Sequence, residues 1–154
     1  MRALLQRVSQ ASVSVGGGTL GRIGAGLVVL LGISSSDDVS DIDYIVDKTV
    51  NLRIFPDDQG RFDRSVLDTS SELLVISQFT LYGNTRKGRR PSFTEAAPAE
   101  QADAMFSEAL DKFRASGLKI ETGKFQAHML VEISNDGPVT IMLDSSDRDK
   151  PRRG

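Results

Sequence analysis

The chain has 154 residues, of which 39% are hydrophobic and 26% charged, and it carries a net charge of −2. Those values fit one globular domain and exclude a global cationic field, so any nucleic-acid binding must come from local clusters of charge. With no cysteine and a single histidine, His128, disulfides, thiolate chemistry and a His-rich metal site are excluded. No cofactor or metal motif is present. No stretch approaches the roughly 20 apolar residues that span a bilayer. Gln6 and Arg7 fall where a signal peptide keeps its apolar core. A cytoplasmic protein with no membrane partner is expected.

Residues 2–8 read as a strand and Ala11 to Val15 as a second, followed by a turn at Gly16-Gly17-Gly18. Thr19 to Ile23 returns as a third strand. Leu27 to Leu31 is a buried central one. Such spacing implies a hairpin-rich, largely antiparallel start that can curl into a barrel. Residues 34–38 form a loop able to cap a helix, in which Ile42, Ile45, Val46 and Thr49 recur at helical spacing. Leu52 to Phe55 reads as a strand ended by the turn Pro56 to Gly60. Arg61 to Leu67 is a short extended piece.

Leu73, Leu74, Val75 and Ile76 make a buried strand that turns polar at Ser77, Gln78 and Thr80 without a turn signal. Hydrogen-bonding side chains at the end of an apolar strand are costly unless each finds a partner. After Leu81 and Tyr82 comes a loop holding Arg86, Lys87, Arg89 and Arg90. Four like charges repel unless something neutralises them. The pair of features suits a site that receives a polyanion and acts on a group attached to it. Structural hydroxyls beside a solvated loop are the plainer alternative.

Pro98 opens a second helix, and its stripe of Ala102, Met105, Phe106, Ala109, Leu110 and Phe113 reads as core packing, ended by Gly117. Lys119 to Glu121 and Ala127 to Ile133 are further strands. In the latter, Met129, Val131 and Ile133 share one face against His128, Leu130 and Glu132. Asn135-Asp136-Gly137-Pro138 reads as a tight turn before a last strand, Val139 to Leu143. Its Gly-Pro bond fits either a cis form or an ordinary trans turn. Carbonyls of Gly137 and Pro138 held together would suit an ammonium group. From Ser145 the chain is polar and is expected to be a disordered tail. The expected division is a domain over 1–144 and a tail over 145–154.

Three of these motifs together resemble the D-aminoacyl-tRNA deacylase family, which includes the D-tyrosyl-tRNA(Tyr) deacylases. They are Ser77-Gln78-Phe79-Thr80-Leu81, the loop Thr85 to Phe93, and Asn135 to Thr140. Gln6-Arg7-Val8 and Asn51 to Phe55 match as well, and the similarity covers about residues 1–144. It implies an α+β fold whose curved, mostly antiparallel sheets form a barrel-like core with two main helices packed outside. It further implies hydrolysis of the ester between a D-amino acid, or glycine, and the 3′-terminal adenosine of tRNA. The family's homodimers have cross-subunit active sites, entered by a cis Gly-Pro turn. Carried over, Ser77, Gln78, Phe79 and Thr80 are the catalytic residues. Gly137 and Pro138 enter the partner's site, Phe125, Ala127 and Met129 form the adenosine-side wall, and Arg7 supports the entering loop. Arg86, Lys87, Arg89 and Arg90 hold the acceptor end of tRNA. His128 stands where many relatives have an acid. By strand alternation it faces away from Met129 and reads as structural or surface.

With neither cysteine nor histidine at the motif, a Ser-His or Cys-His pair is not available. Thr80 as nucleophile remains one route. The preferred one is a pocket that orients substrate and water, in which N–H groups around Phe79 and Thr80 polarise the carbonyl and the ribose 2′-hydroxyl helps activate water. Alternatives are a non-catalytic RNA-binding module, editing of a different mischarged amino acid, and a metal-dependent hydrolase. The chain ends at residue 154 without a synthetase body, which argues for a free-standing enzyme.

Overall fold

A computed structural model describes residues 1–151, and its main sheet is organised around β1, Arg2–Val15, which pairs along both edges. One edge of β1 pairs antiparallel with β8, Leu130–Asp144. The other edge is shared, its first half with β3, Gly26–Gly32, and its second half with β2, Gly18–Ile23. The two strands expected at 2–8 and 11–15 are therefore one. Exposed Ser9 and Gln10, which read as a break, fall where the β1–β8 register shifts. A bulge carries the polar residues outward while the strand continues.

The sheet proceeds β2-β1-β3-β6-β7, with β6 at Glu72–Ser77 and β7 at Ile120–Thr122. β3, β6 and β7 are parallel. Parallel neighbours need long crossovers, and the two helices supply them: α1, Val39–Asn51, links β3 to β6, and α2, Ala99–Ala115, links β6 to β7. The sheet is thus mixed, antiparallel at its hairpin start and parallel beyond it. It curls until β7 lies beside β2, where a Cβ on Gly21 would sit 3.2 Å from that of Glu121. This nearly closed barrel with two helices outside is the architecture the resemblance implied.

Alternation divides the apolar residues between two cores. Leu27, Val29, Leu31, Leu73 and Val75 pack toward the helices with Ile42, Ile45, Phe106 and Phe113. Val28, Leu74 and Ile76 pack inside the barrel with Val8, Val13 and Ile23. Burial on both faces is why β3 and β6 read as continuous apolar runs. Asp38 caps α1 by accepting from the Ser40 N–H at 2.8 Å, while Asp41 accepts from the Asp38 N–H at 2.9 Å. Among the described residues no helix is long and apolar enough to cross a membrane.

Several expectations need correction. The strand expected at Leu52 to Phe55 shrinks to β4, Phe55–Pro56, which forms a hairpin with β5, Phe62–Arg64. The strand expected from Ala127 begins only at Leu130. The tail is ordered through residue 149: Ser145–Asp149 forms a 3-10 turn. Ser145 is buried and accepts a hydrogen bond from the Met1 ammonium at 2.7 Å, and Arg148 reaches Asp41 at 3.6 Å. Burial tends to raise the Asp144 carboxyl, but bonds from the Ser146 N–H and Arg2 outweigh it and hold that group below the usual carboxylate range. Residues 152–154 of the expected tail lie outside the described residues.

Candidate active site

β6 ends at Ser77, and the Gln78 N–H still reaches the Leu31 carbonyl at 2.8 Å. The chain then tightens into a 3-10 turn, Phe79–Tyr82. Its bonds run from the Leu81 N–H to the Gln78 carbonyl (3.3 Å) and from the Gly83 N–H to the Thr80 carbonyl (3.0 Å). The first N–H groups of such a turn have no acceptor within it. Among the described residues the Phe79 and Thr80 N–H groups meet no backbone acceptor elsewhere. Gly32 admits the turn: a Cβ there would lie 3.0 Å from the Gln78 carbonyl oxygen. The Gln78 side-chain amide is hydrogen-bonded to the Thr80 hydroxyl.

Ser77, Gln78 and Phe79 form one wall of a cleft of about 560 Å³. Phe125, Ala127 and Met129 line it as well, together with Ala97, just before α2, and Ala99 and Ala102 at the start of that helix. Six of the predicted site residues therefore meet in one cavity. Thr80 does not line it and is exposed just beyond, tied to Gln78. Part of the α2 stripe expected to serve only the core thus faces the cleft.

The segment that carries Phe125, Ala127 and Met129 is not a strand. Gln126 sits at φ 61°, in the left-handed region, within a turn closed by the Ala127 N–H to the Lys124 carbonyl at 3.2 Å. A Cβ on Gly123 would lie 2.4 Å from the Met129 sulfur, so glycine lets Met129 fold back. Exposed Gln126 and His128 both border the cleft. His128 is exposed while Met129 is half-buried, as alternation implied, but the segment that carries them is a turn and not a strand, and His128 lies at the border of the cleft.

Arg86, Lys87, Arg89 and Arg90 are all exposed. Among the described residues none of them is ion-paired. Their loop is closed at its base by reciprocal Asn84–Ser92 backbone bonds of 2.7 and 2.9 Å. It is set beside the cleft by Phe93, whose ring meets that of Phe79 edge-on at 5.1 Å. Tyr82 ends the 3-10 turn under the Arg2 guanidinium. Burial, aided by Asp37, pushes its phenol far above the ordinary value, so it is protonated at neutral pH and cannot serve as a base. Among the described residues no group of three or more His, Asp or Glu is placed to hold a metal.

Gly137 and Pro138 lie elsewhere. Thr140 pairs with Gln6 and Asn135 with Val8, so the residues between them bulge from one continuous strand. The expected tight turn between two strands is thus a bulge, because both flanks pair with the same partner, β1. Asn135 spans it, accepting from the Val139 N–H at 2.8 Å and donating to the Thr140 hydroxyl at 2.9 Å. Arg7 donates to the Asp136 carbonyl at 2.9 Å. The Gly137–Pro138 peptide is cis. Both residues are exposed, and neither lines the cleft of its own chain.

The comparisons bear on this arrangement directly. The family model described as D-Tyr-tRNA(Tyr) deacylase matches residues 4–144. The chain belongs to that deacylase family. A protein of Dehalococcoides mccartyi named D-aminoacyl-tRNA deacylase is 56% identical over 153 residues, covering 99% of this chain and 100% of its own. One of Clostridium botulinum with the same name is 58% identical over 146 residues, covering 95% and 98%. Among solved structures, the c-Myc DNA unwinding element binding protein is 45% identical with a TM-score of 0.88, over 94% of this chain and 98% of its own. A probable eukaryotic D-amino acid tRNA deacylase shares the fold, with a TM-score of 0.83 at 18% identity over 92% and 97%. The deacylase motifs quoted from the sequence all fall within the matched span.

Proposed function

We propose that this chain hydrolyses the ester joining a D-amino acid, or glycine, to the 3′-terminal adenosine of tRNA, and spares L-aminoacyl-tRNA. Membership of the deacylase family makes it an ester hydrolase acting on aminoacyl-tRNA. The finer reading rests on one observation: Ser77, Gln78 and Phe79 line one cleft together with Phe125, Ala127 and Met129, with two N–H groups at its edge that are uncommitted among the described residues. The apolar wall takes the terminal adenosine, and the scissile carbonyl lies toward the turn. An ester hydrolase must stabilise the oxyanion that develops, and fixed backbone N–H donors do so without reorganisation. The Phe79 and Thr80 N–H groups fill that role, with Gln78 and Ser77 completing the hydrogen bonding. Water is activated by the ribose 2′-hydroxyl. Thr80, bonded to Gln78 and just outside the cleft, supports the turn and does not attack.

The working unit is a homodimer in the cytoplasm. Gly137 and Pro138 of the partner subunit enter the cleft, and their carbonyls take the α-ammonium group and crowd the space of an L side chain. Rejection by clash discriminates strongly. The basic loop holds acceptor-stem phosphates, contacts that carry little sequence information. One similar structure carries a DNA-binding name, so the test must separate binding from turnover. It is release of amino acid from matched D-Tyr-tRNA and L-Tyr-tRNA, in chelator, by wild type and Thr80→Ala. Release from the D form alone, largely retained in Thr80→Ala, is expected. Loss of all turnover in a folded Thr80→Ala would overturn the purely supporting role of Thr80 and reopen the threonine-nucleophile route, and release from neither form would refute the hydrolase reading.

A further inference from the structure

Phe62 is 56% exposed, one of the large apolar side chains left at the surface among the described residues. It stands on β5, and its face lies 5.6 Å from the guanidinium carbon of Arg7. The hairpin that carries it is tied at its tip. The Asp57 carboxylate accepts from the N–H groups of Gln59 and Arg61 at 2.8 and 2.9 Å. Asp58 pairs with Arg64 at 3.0 Å. The same segment offers the Ile54 carbonyl, which takes a second Arg7 donor at 2.8 Å. Arg7 is thus gripped from the hairpin by a carbonyl at its edge and a ring at its face. Its remaining contact is the Asp136 carbonyl, next to Gly137. The fit is close: a Cβ on Gly137 would lie 3.2 Å from the Arg7 Nη2.

We propose that Phe62 is a positioning residue, clamping Arg7 so that the β8 bulge presents the Gly137 and Pro138 carbonyls in one orientation. Its effect on selectivity rests on the function proposed above, but the clamp itself does not. A guanidinium over an aromatic face gains from the ring quadrupole as well as from area. Leucine would therefore replace only part of Phe62, and tryptophan all of it. The hairpin, a segment with little core of its own, thereby braces the bulge.

The test compares Phe62→Ala, Phe62→Leu and Phe62→Trp in the full chain. The direct readout is hydrogen exchange of the Val139 amide, whose acceptor Asn135 spans the bulge. Exchange is expected to rise about fivefold in Phe62→Ala, the scale of one such contact, and by a smaller factor in Phe62→Leu, with Phe62→Trp at the wild-type rate. The ratio of D- to L-Tyr-tRNA hydrolysis should fall in the same order, most in Phe62→Ala and less in Phe62→Leu. Unchanged exchange in Phe62→Ala, or full protection in Phe62→Leu, would overturn the clamp. So would a shift of Phe62→Ala to monomer in sedimentation, which would make the ring an interface residue. If wild type releases neither amino acid, the proposed function fails, while amide exchange still decides the clamp.

Discussion

At Gly137 the backbone leaves no room for a side chain. Its φ is 146°, and a Cβ would lie 2.7 Å from the Val139 Cγ2 and 3.0 Å from the Val139 nitrogen. Both facts act against any L residue there. Gly137→Ala is expected to cost about 1–3 kcal/mol, the scale of a non-glycine residue forced into such a region. Under the proposed function it should also lower the D-to-L ratio, because the bulge must shift to relieve the clash. Urea unfolding and matched-substrate hydrolysis check the two halves separately. Residues of this kind were half legible in the sequence. Ser77, Gln78 and Thr80 stood out because polar side chains ended an apolar run. Gln126 and His128 did not, because they are exposed polar residues in a turn, and only the fold shows that this turn borders the cleft.

Elements were more legible than the way they pair. Both helices and most strands follow from periodicity, and the Asp38–Asp41 cap follows from residue types at the right spacing. The parallel pairing of β3 with β6 does not, since local pattern records burial but not the direction of a neighbour. That pairing brings the chains unusually close at one point. A Cβ on Gly26 would lie 1.9 Å from the Glu72 carbonyl oxygen and 2.8 Å from the Glu72 nitrogen. Gly26→Ala must therefore push the start of β6 away from β3, because the obstacle is backbone and cannot rotate aside. A loss of about 1–3 kcal/mol, the usual cost of overpacking, is expected in equilibrium unfolding. β6 delivers Ser77 and Gln78 to the cleft, so hydrolysis should fall further than stability alone requires. An alanine variant as stable as wild type would mean that β6 is not anchored at Glu72. The bulge in β8 makes the same point about pairing: Asn-Asp-Gly-Pro is good turn chemistry, and only β1 pairing with both flanks turns it into a bulge.

For the whole molecule, the net charge of −2 and the polyanionic substrate of the proposed function are reconciled by where the cations sit. Arg86, Lys87, Arg89 and Arg90 are free of ion pairs among the described residues, and the Phe79–Phe93 contact sets their loop at the cleft. Long-range steering is weak for such a chain, because fields are screened beyond about 8 Å at physiological salt. Binding must then come from close phosphate contacts, each releasing counterions. Replacing all four residues with alanine should weaken tRNA binding and flatten the log–log dependence of affinity on salt by up to about 3.5 units. The change in net charge alone, from −2 to −6 on losing four cations, cannot mimic this. A control makes the distinction. Arg114 lies near the far end of α2, roughly 20 Å along the helix from the alanines that border the cleft. It is exposed and, among the described residues, paired only with Asp111. Arg114→Ala removes a charge beyond screening distance and should leave the salt slope unchanged. If the two variants shift the slope equally per charge removed, the net field governs binding. If only the loop variant moves it, the loop touches phosphate, and the cations of residues 86–90, unpaired among the described residues, are where the substrate's backbone is held.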